Sequence, residues 1–376
     1  MDNPFLISGY AGPDTFCDRT EEVKKLRSNV LNDINTLLLA FRRMGKSGLI
    51  QHFFQSLDGD LSIKPIYFDI FYTKNQSEFV NILATGMARS FPEKSKPGKK
   101  IMDFLKGFHP TVSFDRLSGM PEISLGYQSE QATEVSLRAM LQFLEAQDFK
   151  TMMAIDEFQQ IAQYPETNTE ALLQTYIQNL HNVRFIFSGS APHVLTEMFH
   201  SAKRPFFASA QNIFLKPIES EAYLPFIRNH FERAGKSIDD DTLNWIQEFT
   251  WMHTYYVQMV CNRLFDSGIR KMTLSLAQKL IYTYLAEQEF TFSQYRNLLT
   301  SNQWELLKAI AKEEMVETPN GQAFIKRHKL GTPSHVNRSM DALLTKDLVL
   351  REESLGKPRY RVYDVLLSRW LQELRF

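Results

Sequence analysis

Leu37-Leu38-Leu39-Ala40-Phe41-Arg42-Arg43-Met44-Gly45-Lys46-Ser47 joins an apolar run to a short basic turn that closes on Gly-Lys-Ser. The closing tripeptide alone arises by chance in roughly one chain in five of this length, so its surroundings must carry the reading. Leu37 to Leu39 read as a strand preceded by the turn residues Asn32, Asp33 and Asn35. Ser47 to Gln55 read as a helix, with Leu49, Ile50, Phe53 and Phe54 on the face that packs under a sheet. A strand, a tight turn and a helix in this order make a phosphate-binding loop, in which backbone N–H groups and the positive helix end meet phosphate oxygens. The expected ligand is a nucleotide. Gly45 lets the backbone approach, Lys46 neutralises the β- and γ-phosphates, and Ser47 offers its hydroxyl to Mg²⁺, with Met44 and Gly48 completing the cradle. The usual spacing wants glycine at position 40, where this chain has Ala40, the smallest residue that carries a Cβ.

About a hundred residues further on, Thr151-Met152-Met153-Ala154-Ile155-Asp156-Glu157 is an apolar strand ending in two acids. Mg²⁺ prefers oxygen ligands and keeps several waters, so Asp156, on a strand expected beside the loop strand, can hold it through the water shell. Glu157 can then orient and deprotonate a water that attacks the γ-phosphate. The plainer alternative is that the two acids only favour the start of a helix at Phe158. Val183 to Ser190 is a further strand whose last residues are small and polar, which makes Ser188 and Ser190 candidates to sense the γ-phosphate, or simply turn residues. With Lys64 to Ile70 and the capped helix starting at Ser77, strand and helix alternate from residue 35 to about 215. That pattern predicts an α/β P-loop fold with a parallel sheet and helices on both faces.

Composition bounds the rest. The 376 residues leave room for two or three domains, and 43 Lys+Arg balance 43 Asp+Glu, so no global charge marks nucleic acid, a membrane or an acidic substrate. Cys17 and Cys261 lie far apart in apolar settings and give neither a metal site nor a disulfide framework. Apolar runs are too short to span a bilayer and Met1-Asp2-Asn3-Pro4 does not read as a signal peptide, so no membrane partner and a cytoplasmic location are expected. Pro92 to Lys100, with the stretch on to Gln131, reads as a solvated loop, partner contacts being the alternative.

Upstream, Glu21 to Val30 should form a helix capped by Asp18 or Thr20, with Val23, Leu26 and Val30 inward. Phe5 and Phe16 could frame an adenine ring or pack an N-terminal arm.

The Asn-Pro-Phe start, the box Phe16-Cys17-Asp18-Arg19-Thr20-Glu21-Glu22, Arg42-Arg43-Met44-Gly45-Lys46-Ser47, Ile155-Asp156-Glu157 and Phe187-Ser188-Gly189-Ser190 together resemble the prokaryotic archaeal-type ATPases. Those belong with the AAA+ and STAND P-loop ATPases, and the resemblance spans essentially the whole chain. It implies an ATP- or ADP-binding core, a helical lid and a C-terminal winged helix working as a nucleotide-dependent switch, often as a homo-oligomer. It also implies that Arg42 and Arg43 grip phosphate or an acidic neighbour. Where the family carries Gly-Gly-His-Pro in the lid, this chain reads Trp251-Met252-His253-Thr254. Any arginine finger is displaced, with Arg204 as the candidate, and hydrolysis is expected to be slow.

Residues 218–298 repeat apolar positions at helical spacing and read as the lid, from which His253 could touch the nucleotide or serve as a structural residue. Residues 299–376 read as the winged helix, following a core over 1–217. Thr332-Pro333 opens a helix that buries Val336, Met340, Leu343 and Leu344 and exposes Ser334, His335, Asn337, Arg338 and Asp341, as a recognition helix would. Residues 321–361 hold nine Lys/Arg against four acids, a surplus suited to phosphate contacts from Lys357 and Arg359 in the hairpin, whose expected tip runs from Ser354 to Pro358. Winged helices also serve as protein-interaction modules, so duplex DNA and a protein effector acting in trans stand side by side as partners. Two functions follow: a Mg²⁺-dependent ATPase with Glu157 as base, or a nucleotide-holding scaffold without appreciable turnover.

Overall fold

The computed structural model describes residues 3–57, 62–91, 95–116, 119–126, 129–354 and 356–374. Contacts divide the chain into two compact units, Ser8–Pro217 and Met1–Ile7 together with Ile218–Phe376.

In the first unit the helix α1 (Thr20–Leu31) precedes β1 (Thr36–Leu39), α2 (Lys46–Gln55), β2 (Ile63–Asp69), α3 (Gln76–Ser90) and α4 (Lys96–Lys106). A hairpin of β3 (Thr111–Phe114) and β4 (Pro121–Ser124) follows, then α5 (Glu130–Glu145), β5 (Lys150–Asp156), α6 (Thr169–Ile177), β6 (Val183–Gly189), α7 (Pro192–His200) and β7 (Gln211–Phe214). The main sheet has the order β2-β5-β6-β1-β7 with every pair parallel. Its inner strands β1, β5 and β6 are largely buried apolar runs because both faces are covered, whereas the edge strands β2 and β7 are partly exposed. Leu38, Ala40, Met152, Ala154 and Ile186 face Leu26 and Val30 of α1 and Leu49, Ile50, Phe53 and Phe54 of α2. Leu37, Leu39, Met153, Ile155, Phe185 and Phe187 face the opposite layer, built on α3, α5, α6 and α7. The period-two alternation of strand side chains sends each set to its own side.

Three local expectations change. The stretch read as a solvated loop forms α4 and the β3–β4 hairpin, because Ile101, Leu105, Ile123 and Leu125 are buried in the α3–α5 layer; Pro92 to Lys94 of that stretch lie outside the described residues. Helix α1 has Arg19, left-handed at φ 71°, at its N-cap position without a side-chain cap bond, while Asp18 one residue earlier accepts from the Thr20 N–H at 3.3 Å. Asn75, not Ser77, caps α3, its side chain accepting from the Glu78 N–H.

The second unit begins with β8 and β9 flanking helices: α8 (Ser220–Arg233), β8 (Ser237–Ile238), α9 (Asp240–Thr250), α10 (Thr254–Asp266), β9 (Lys271–Met272), α11 (Leu274–Glu287) and α12 (Glu289–Leu298). Then come α13 (Ser301–Glu313), α14 (Gln322–Arg327), α15 (Pro333–Thr345), the hairpin β10 (Val349–Ser354) and β11 (Lys357–Val362), and α16 (Val365–Glu373). Three helices followed by a two-stranded wing and a closing helix make the tail a winged helix, although Leu355 at the expected hairpin tip lies outside the described residues.

The helices of residues 218–298, read as a separate lid domain, share this one unit with the winged helix, and specific contacts hold them. Arg369 of α16 donates to the carbonyls of Glu248 and Phe249 at the end of α9, satisfying acceptors that a helix terminus leaves open. Its guanidinium also lies 5.0 Å from the Trp251 ring centroid, and Arg361 of β11 lies 5.1 Å from it. Trp251 and Met252 are both left-handed, φ 51° and 56°. The backbone thus takes, with bulky residues, a conformation that glycine adopts at no steric cost, and the two arginines help hold it. No described helix is long and apolar enough to cross a membrane.

Candidate nucleotide site

Gly45, in the left-handed conformation at φ 88°, turns the chain into α2 without a side chain capping that helix. The first N–H groups of α2 are therefore free of a side-chain acceptor, the usual requirement for anion binding at a helix start. Arg43 is also left-handed, φ 64°. Arg42 and Arg43 are exposed, while Ala40 and Met44 are buried. The tight turn is thus built even though position 40 has a Cβ.

Lys46 is 8% exposed and reaches across the sheet end to the acids, its Nζ 3.3 Å from Asp156 Oδ1 and 3.4 Å from Glu157 Oε1. Ser47 donates its hydroxyl to Asp156 Oδ2 at 2.7 Å. Sequence reasoning put the acid strand beside the loop strand; in the sheet β6 lies between β5 and β1. Asp156, the last residue of β5, still meets Ser47, with its other carboxylate oxygen taken by Ser188 of β6. The same insertion brings the β6 serines to the acids: Ser188 donates to Asp156 Oδ1 at 2.6 Å and Ser190 to Glu157 Oε2 at 2.7 Å.

Three participants escaped sequence reasoning. Tyr67 donates to Asp156 Oδ2 at 3.0 Å. The available signal was register: Asp69 pairs with Asp156, and Tyr67 sits two residues earlier on the same strand face. Gln159 donates to Glu157 Oε2 at 2.5 Å. Arg19, 5% exposed, donates to the carbonyls of Lys216 at 2.8 Å and Met44 at 3.4 Å and to Glu22 Oε1 at 3.1 Å, tying the quoted sequence box to the loop.

Burial alone would raise the Asp156 carboxyl, but the Lys46 ammonium and the Ser188, Ser47 and Tyr67 hydroxyls outweigh it and hold it below its ordinary value. Burial likewise opposes, and Lys46, Gln159 and Ser190 overcome, for Glu157, whose carboxyl is also lowered. Both acids therefore stabilise the nucleotide-free fold above about pH 4, the ordinary carboxylate range. That contribution is lost as pH falls through their lower folded values. Acid unfolding followed by circular dichroism should show this loss, and Asp156→Asn should flatten the pH dependence in that window.

Phe16 is brought to the loop helix. Its ring stacks on His52 at 4.3 Å, and a Cβ added at Gly48 would lie 3.5 Å from Phe16 Cε2. Tyr10, also unforeseen, bonds His52 Nδ1 at 2.9 Å and stands edge-on to Phe16 at 5.7 Å. Phe5 is not with them: it is fully buried in the second unit against Phe226, His230, Phe231 and Phe265, an arm residue used for packing. Its backbone is fixed by the Asn262 amide, which donates to the Phe5 carbonyl at 2.7 Å, while Asn3 donates to the Asn262 carbonyl at 2.9 Å. His253 also belongs to the second unit, leading into α10 with its ring 5.0 Å from Tyr256. Arg204, the expected finger, forms ion pairs with Glu170 and Glu197 of its own unit.

On the tail, Ser334, His335, Asn337, Arg338 and Asp341 are exposed along α15, while Val336, Met340 and Leu343 are buried and Leu344 is half-buried. Lys357 is exposed, but Arg359 pairs with Glu317 at 3.1 Å and Arg361 with Glu352 at 2.9 Å. Much of the wing's positive charge is thus neutralised internally. Arg327 and His328 similarly share Glu313.

The loop, the acids on the second strand away and the serines on the strand between them define a P-loop NTPase fold followed by a winged helix. A family model described as "Probable winged helix domain" matches residues 290–373. Among solved structures, the chain is similar to a Walker-type ATPase of Pyrococcus abyssi at 17% identity and TM-score 0.65, covering 98% of this chain and 99% of that one. It is similar to the ORC2 protein of Aeropyrum pernix in its ADPNP-ADP complexes at 15% identity and TM-score 0.59, covering 99% and 96%. Cdc6p of Pyrobaculum aerophilum follows at 11% identity and TM-score 0.51, covering 99% and 98%. No curated protein matches the sequence.

Proposed function

We propose that this chain binds ATP with Mg²⁺ and hydrolyses it slowly, using nucleotide state as a switch. The observation that carries the reading is the convergence of Lys46, Ser47, Asp156 and Glu157 at one sheet end, with Ser47 2.7 Å from Asp156 and Lys46 3.3 Å from Asp156 and 3.4 Å from Glu157. The Ser47 hydroxyl and the Asp156 carboxylate are hard oxygen donors facing each other, which suits Mg²⁺ held partly through its waters. Bound there, the ion would neutralise charge on the phosphates. Lys46 would turn its ammonium from the acids to the β- and γ-phosphates, the α2 N–H groups would orient them, and Glu157 would accept the proton of the attacking water. Ser190 and Ser188, already bonded to the two acids, would register a change at the phosphate end. Phe16 supplies one wall for the base, and the nucleotides named with the ORC2 neighbour support the ligand class.

A scaffold with negligible turnover is the second reading, favoured by the ion pairs that engage Arg204. For the winged helix, the exposed face of α15 suits duplex DNA, with α15 rather than the largely neutralised wing making the principal contacts. Phosphate release by the wild-type protein, with and without duplex DNA, decides between the readings. Mg²⁺-dependent release above background is expected, altered by DNA. Tight ATP binding with no release under either condition would leave the scaffold.

A further inference from the structure

Glu157 does not stand free at its strand end. Its Oε2 accepts from the Ser190 N–H at 3.0 Å, the Ser190 hydroxyl at 2.7 Å and the Gln159 amide at 2.5 Å, while Oε1 faces Lys46 at 3.4 Å. Three donors on one oxygen leave the other as the free acceptor once Lys46 is drawn elsewhere.

Gln159 reaches this position at a cost. It is 9% exposed, and its own Oε1 is buried without a hydrogen-bond partner. Such an atom loses its hydration and gains no hydrogen bond in exchange. What the glutamine gains for that orphaned oxygen is its amide contact with Glu157, which an apolar residue could not make.

The space it occupies is made by Gly189. A Cβ there would fall 1.9 Å from Gln159 Oε1, 3.0 Å from its Cδ and 3.0 Å from Leu195 Cδ1. The amide's far end thus lies across the glycine, at the end of the strand that carries Ser188 and leads into Ser190. Because the carbonyl end fills this slot, the NH₂ end must point to Glu157; reversing the amide would set two oxygens against each other.

Resting on the reading of Glu157 as base, the geometry points to Gln159 as a positioning residue: seated over Gly189, it fixes Glu157 Oε2 so that Oε1 alone is presented to the attacking water. Ser190 holds the same oxygen from just beyond the end of β6, and Gln159 closes the remaining rotation of the carboxylate from the chain that follows it. Pre-set orientation of this kind matters because a base misplaced by about 1 Å can lose up to a hundredfold in rate.

The test is a double-mutant cycle on the full chain, measuring kcat and KM for MgATP together with the affinity of a fluorescent ATP analogue. Gln159→Ala should lower kcat about tenfold and leave KM and affinity within about twofold, since it touches orientation rather than binding. Gly189→Ala should do the same by evicting the amide. The double variant should be no slower than either single one, because both remove a single contact. A Gln159→Ala kcat within about twofold of wild type overturns the inference, and this variant suffices if Gly189→Ala does not fold. Additive losses in the double variant would also overturn the slot, by giving Gly189 a separate role. Absence of turnover in the wild type, with ATP still bound, would instead overturn the ATPase reading beneath it.

Discussion

Lys46→Ala is expected to reduce ATP affinity by about a hundredfold or more and, separately, to lower the thermal unfolding midpoint of the nucleotide-free protein. The first effect follows from the loss of charge-assisted hydrogen bonds to two phosphates, each contributing about 1.5–3 kcal/mol. The second follows from what Lys46 does without a ligand. Its ammonium is the cation facing both Asp156, 2% exposed, and Glu157. Removing one partner of a buried pair destabilises by about 3–5 kcal/mol because the remaining charge is stranded. Asp156 keeps donors from Ser47, Tyr67 and Ser188, so the lower end of that range applies here. Titration with a fluorescent ATP analogue checks the first effect, and differential scanning calorimetry with and without MgATP checks the second. A variant that melts early yet binds ATP normally would show that the loop is not the phosphate site.

The loop was legible because its chemistry is local. A strand, a turn needing left-handed residues and a helix starting at the turn are all encoded within Leu37 to Gln55, and Gly45 takes the required conformation. The acid pair was legible for the same reason, being the polar end of an apolar strand. Sheet order was not, since nothing in β5 says which strand lies next to it; β6 comes between β5 and β1 through long-range pairing alone. That misplacement hid the reason Ser188 and Ser190 meet the acids. Tyr67 and Gln159 escaped because their roles depend on which neighbours the folded sheet supplies, Asp156 across a parallel pair and Gly189 beneath an amide. Phe5 illustrates the reverse. An aromatic in an N-terminal arm reads equally as a ligand wall or as packing, and only the aromatic cluster of the second unit selects packing. At Trp251 and Met252, where the resemblance leads one to expect glycines, the backbone is left-handed despite the bulky side chains.

Glu157→Gln is expected to keep ATP binding and to slow hydrolysis by about a hundredfold to ten-thousandfold, the range contributed by a positioned general base. Glutamine is nearly isosteric, and its carbonyl can accept from Ser190 and Gln159 as Glu157 Oε2 does. Its amide then replaces Oε1 at the face toward Lys46, so what is lost is the basic oxygen and one of two attractions on that ammonium. Asp156 retains the other, at 3.3 Å, and the loop keeps its counter-charge. Binding and chemistry should therefore separate, with an unchanged analogue affinity and a depressed kcat in a single-turnover assay. An equal fall in affinity would mean that Glu157 organises the loop rather than the water. The separation also gives the switch a handle: Glu157→Gln loaded with MgATP holds the triphosphate state, whereas Lys46→Ala holds the empty one. If nucleotide state governs the winged helix, the affinity of these two variants for duplex DNA must differ, and equal affinities would uncouple α15 from the nucleotide site.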